Sequence, residues 1–136
     1  MQLFLLSGTL AHPLNFTAGW GLIVLSFLVG AIIGLGFHRE DFLGGYVSFR
    51  RRLLRLGHIA LVALGMLNIL YSFSPIPAAD APFAAWPGRF LIAGAIAMPT
   101  VCFLSAWKRP ARHLFFIPVT LLLTAAVLMF YFGVTQ

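Results

Sequence analysis

Three of the four histidines in this 136-residue chain, His38, His58 and His113, fall beside basic segments. Imidazole readily ligates iron, zinc or copper, and it exchanges a proton near neutral pH. Each of the three borders a long apolar run, so if those runs are helices, three of them present imidazole at one end. His58 stands between the arginine-rich stretch FRRRLLR and the apolar run GHIALVALGMLN. At about 100° per residue, His58, Leu61, Gly65, Asn68 and Ser72 share a helical sector roughly 80° wide. A stripe holding Gly, Asn and Ser should face protein, because lone polar groups are costly in hydrocarbon. His113, Thr120, Thr124 and Tyr131 align in the same way on the last run, and His38 lines up with Gly34 and Ala31. His12 falls at the opposite end.

A b-type haem held by two histidines needs them on facing helices at matched depth, with small residues beside the ring. His58 and His113 are candidates for that pair, with His38 assisting. Gly65 leaves a notch for a macrocycle or a neighbouring helix, and Arg55 or Arg112 could meet the propionates. A metal site would instead use His38, His58 and His113 together. The plain alternative is that these histidines lie among arginines because a headgroup region favours amphipathic side chains. The residues alone leave all three readings open.

Other chemistries lack their parts. The acids, Glu40, Asp41 and Asp80, lie outside the apolar runs. A proton-coupled antiporter needs an ionisable group inside the membrane, so drug export is disfavoured. There is no Gly-rich phosphate loop, no nucleophile–base pair and no zinc-protease motif. The lone Cys102 excludes an internal disulfide or a cysteine-based cluster. No independent catalytic activity is expected.

The elements that must position the histidines follow from composition. Hydrophobic residues make up 61% of the chain and charged residues 9%, with a mean hydropathy of +0.99. A soluble domain carries about a quarter charged residues. This composition predicts an all-α integral membrane protein, in one domain over residues 1–136. Four spans of about 20 residues are expected near 17–37, 56–73, 88–107 and 113–134, forming an up-down bundle. The runs are continuously apolar, which excludes the alternation of a β-barrel. The apolar start, MQLFLLSGTLAHP, lacks the basic lead of a secretory signal and reads as a segment stopped near His12 and Pro13. A short surface helix is conceivable around residues 81–86.

Net charge is +6, and eight of the nine Lys and Arg residues fall in loops 38–55 and 108–112. By the positive-inside rule those loops are cytoplasmic, and both termini and loop 74–87 lie outside. Trp20, Trp86 and Trp107 sit near span ends, as an aromatic belt requires. The basic loops should attract anionic lipids at about 1 kcal/mol per charge, and no nucleic-acid motif accompanies them. Gly30 and Gly34 in GAIIG match a small-xxx-small packing pattern. Pro99 falls mid-span, where proline tends to kink a helix.

The order of His12-Pro13, His38-Arg39 and RRLLRLGH (Arg51 to His58) resembles the small four-helix membrane proteins associated with bacterial cytochrome oxidase assembly. The resemblance covers roughly the first half of the chain. Where that pattern would place a further histidine, at the end of the second span, Asn68 and Tyr71 stand instead. The resemblance implies a bacterial inner-membrane location and metal handling or oxidase assembly. The expectation that follows is a small accessory subunit of a larger bioenergetic, electron-transfer membrane complex, with other membrane subunits as partners. The alternatives are a haem b or metal protein using His58 and His113, or an assembly factor.

Overall fold

The computed structural model describes residues 10–75 and 83–135. They form four long α-helices: α1 (Pro13–Gly36), α2 (Phe49–Ser72), α3 (Trp86–Trp107) and α4 (Phe116–Val134). A 3-10 turn at Phe42–Gly44 and a 3-10 segment at Arg109–Phe115 complete the elements. All four helical segments are long and apolar enough to cross a bilayer.

The helix starts depart from the expected spans for local reasons. Pro13 begins α1, because a first-turn proline loses no helical bond and its φ is already helical; the lead-in expected to stop there falls mainly outside the described residues. FRRRLLR is not loop. Ser48 caps α2, its Oγ accepting from the Arg51 N–H at 3.2 Å, and this cap draws two further turns of arginine and leucine into the helix. Trp86 begins α3, and Phe83–Ala85 form only a turn; residues 81 and 82 lie outside the described residues. The helix α3 continues through the buried Pro99. His113 belongs to the 3-10 segment that precedes α4.

Consecutive helices run antiparallel, as contacts along each pair show. His12 meets Ser72 across α1 and α2, and Ser26 meets His58. Between α2 and α3, Gly57 faces Phe103 and Tyr71 faces Gly88, while Leu91 early in α3 clusters with Ala125 of α4 and Ala106 late in α3 with Phe115 just before α4. The fold is thus up-down-up-down, and the main packing joins each helix to the next. The inner helices, α2 and α3, each have 44% of their most apolar stretch buried, against 17% and 11% in the flanking segments. The four helices therefore form a row with two open apolar flanks. Its core is Leu22, Leu61, Leu64 and Ala95, extended by Leu53, Leu54 and Ala106 at one end and by Tyr71, Leu91 and Ala125 at the other.

The seam between α1 and α2 is unusually close. A Cβ on Gly65 would lie 2.9 Å from the Gly19 carbonyl oxygen, and one on Gly19 would lie 2.6 Å from that of Gly65. Two glycines facing each other let backbones meet where any side chain would hold them apart.

At the basic end, Arg51 ties the loop at 37–48 to α2. Only 6% of Arg51 is exposed. Its guanidinium lies 4.5 Å from the Phe37 ring centre and donates to the Glu40 carbonyl at 3.3 Å. A planar guanidinium stacks on the ring while its in-plane N–H groups reach the carbonyl, a geometry that a compact ammonium matches less well. Arg51→Lys is expected to loosen the loop by about 1 kcal/mol. Chymotryptic cleavage at Phe42 or Tyr46 should then accelerate about five-fold, and unchanged cleavage would show that Arg51 does not hold the loop.

Candidate functional site

The three histidines of the basic end sit in different surroundings. His38 lies just past the end of α1, exposed in a turn. His58 faces α1: its Nδ1 is 3.3 Å from Ser26 Oγ, and its ring covers Gly30, where a Cβ would come within 2.7 Å of Cε1. Either the hydroxyl donates to an unprotonated Nδ1 or a protonated Nδ1 donates to the hydroxyl oxygen. His113 is exposed in the 3-10 segment, where it lines a shallow cavity with Arg109, Pro110 and Arg112. His58 thus serves the α1–α2 seam, while His113 leads into α4, whose packing partner is α3.

Two of the other expected site residues, Gly65 and Arg55, are occupied elsewhere. The notch at Gly65 is filled by the backbone of α1 at Gly19. Arg55 stacks over Tyr46 at 4.6 Å and donates to its carbonyl at 3.4 Å. Arg112 is exposed. Among the described residues, no group of three His, Cys, Asp or Glu side chains could hold a metal ion. Ser26 and His58 look like part of a hydrolytic triad. Among the described residues His58 has no carboxylate behind it, so the orienting acid of such a triad is missing.

The opposite end holds a polar cluster that the histidine pattern did not point to. Asn15 uses both protons of its amide nitrogen, donating to Asn68 Oδ1 at 2.8 Å and to the Gly88 carbonyl at 3.1 Å. Asn68 donates in turn to the Leu64 carbonyl at 2.9 Å. His12 stacks on the Tyr71 ring at 4.4 Å, and its backbone N–H reaches the Ser72 carbonyl at 3.4 Å. Asn15 and Asn68 are 4% and 0% exposed, so these bonds run through a low-dielectric interior. The cluster joins α1, α2 and α3 at one point. Both amides find partners, and its chemistry is cohesion rather than catalysis.

The stripe on α4 also lies where it can act on something outside the chain. Thr120, Thr124 and Tyr131 share a face and are all exposed. Thr120 turns its hydroxyl back to the Phe116 and Ile117 carbonyls, 2.9 Å from each. On α1, Gly34, the second glycine of the GAIIG pair, has open space where its side chain would be.

These features define a class: an all-helical protein with four membrane-span-like helices, a buried Asn15–Asn68 hydrogen bond joining two of them and two open flanks. Comparison with protein-family models, with curated proteins and with solved structures finds no match to the chain.

Proposed function

We propose that the chain is an integral membrane protein whose work is lateral association: a small accessory subunit of a larger membrane complex. The observation that carries this reading is the exposed stripe of Thr120, Thr124 and Tyr131 on the least buried helical segment. Thr120 commits its proton to its own helix, so what the stripe offers a neighbour is small Thr surface with free oxygen lone pairs, and helix–helix contacts use Ser, Thr and small residues as their glue. Apolar side chains flank the stripe, including Leu123 and Val127, which are 62% and 57% exposed. That combination suits a partner helix laid along α4. The resemblance to oxidase-assembly proteins supports a bioenergetic, electron-transfer complex in a bacterial inner membrane as the setting. The clustering of eight basic residues at one end supports a cytoplasmic basic end and outward termini.

The reading predicts that the protein resists alkaline extraction from membranes and leaves mild detergent together with larger subunits. Replacing Thr120 and Thr124 together by leucine should reduce the co-purifying partner at least ten-fold while the chain itself stays helical and membrane-bound. A C-terminal alkaline phosphatase fusion should be active and a C-terminal fluorescent fusion dark. A solitary monodisperse particle, or partner recovery unchanged in the double variant, would count against this role.

A further inference from the structure

Two arginines from different parts of the chain share one cavity at the basic end. Arg50, in the first turn of α2, and Arg109, at the start of the 3-10 segment, line a space of about 320 Å³ together with Ser48, Gly44, Leu43 and Ala106. The ion pair among the described residues, Arg39 with Asp41, leaves both of these cations without a carboxylate. The Ser48 hydroxyl accepts from the Arg51 N–H, so its own proton remains available to donate. The first-turn N–H groups of α2, which have no acceptor within the helix, add positive field at the same place.

What lies beneath the cavity narrows the choice of anion. Leu43, Arg50 and Ala106 also border a small space of about 10 Å³ whose further wall is Trp107. Trp107 is also a wall of a wholly apolar groove of about 250 Å³, lined by Val29, Ile32, Ile33, Leu54 and Phe103. The cationic chamber and the hydrocarbon slot between α1 and α3 are thus neighbours at the end of α3, where Ala106 borders the first and Trp107 the second. A free phosphate would leave the slot empty, and a neutral amphiphile would leave the arginines unanswered.

We propose that this is a site for one anionic phospholipid, its phosphate between Arg50 and Arg109 and one acyl chain passing Trp107 into the groove. The inference rests on the membrane-embedded reading above. It goes beyond a general attraction of basic loops to lipid, because it assigns two arginines and an adjoining slot.

The test is native mass spectrometry of the full chain released from nanodiscs holding equal phosphatidylglycerol and phosphatidylcholine. One phosphatidylglycerol should be retained in preference. Arg50→Gln with Arg109→Gln should lower its apparent affinity about 25-fold, at about five-fold per arginine. Arg39→Gln with Arg52→Gln removes the same charge elsewhere and should leave retention nearly unchanged. Ile32→Trp, which fills the slot from its open side, should weaken retention without touching either arginine. Equal loss in the two charge doubles, equal retention of phosphatidylcholine, or full displacement by millimolar inorganic phosphate would overturn the lipid site. A chain that fails to enter nanodiscs would overturn the membrane reading itself, while membrane insertion without lipid preference would overturn only the site.

Discussion

Gly65→Val lowers stability by about 3 kcal/mol or more, measured as loss of helicity against rising SDS fraction in mixed micelles. The size follows from what the new side chain meets. Overpacking usually costs about 1–3 kcal/mol, because side chains can shift aside. At Gly65 the obstacle is the Gly19 carbonyl, and beside it the side chains of Ile23 and Leu22. Backbone cannot rotate out of the way, so α1 and α2 must separate and the Leu22–Leu61–Leu64 packing opens with them. Gly19→Ala should act in the same direction, with Gly65 O and Ile69 in its path. Gly21 and Gly34 have open space instead. Alanine there should be neutral, or should stabilise by up to about 1 kcal/mol through helix propensity. If all four glycines tolerated alanine equally, the close seam would not exist.

Asn68→Ala costs about 1–3 kcal/mol, because it strands the Asn15 amide in the interior. Asn15 keeps the Gly88 carbonyl as a partner but loses its shorter bond. Removing both amides should hurt less than the sum of the single changes. A double cycle of Asn15→Leu and Asn68→Leu should show a coupling between about 0.6 and 1.7 kcal/mol, the average and the upper value for hydrogen bonds between membrane helices. The cycle uses the same SDS titration. Strict additivity would mean that the two amides do not act as a pair.

Four long helices, their up-down order and the gathering of charge at one end were legible from the runs of apolar residues. So was the inward face of α2: Leu61, Gly65, Asn68 and Ser72 are all buried, and His58 is partly so. What the runs could not convey is where helix yields to loop among arginines. Hydropathy treats Phe49 to Arg55 as exposed chain, yet Ser48 caps a helix there and Arg51 is buried against aromatic rings.

The histidine cluster illustrates a different limit. Periodicity gives the depth of a residue and the face it occupies on its own helix. It does not say which helix stands opposite that face. His58 and His113 share an end of the fold, but the neighbour of His58 is α1. Asn15 was illegible for the converse reason. One amide in a first turn carries no period, and its partner Asn68 lies 53 residues away. A polar side chain near each end of two adjacent apolar runs was the available signal.

The row arrangement also bears on how the chain is made. Each helix finds its main packing surface on the helix synthesised just before it. Contacts of that kind form early and need no distant segment to return. The glycine seam and the Asn15–Asn68 bond can close once α2 has emerged, and the Gly88 carbonyl then docks α3 onto a hairpin already joined. The helix α4 comes last and is the least enclosed, so it can be held by α3 while still accepting a helix from another chain. Assembly of the protein and its recruitment into a complex would then be successive steps of one vectorial process.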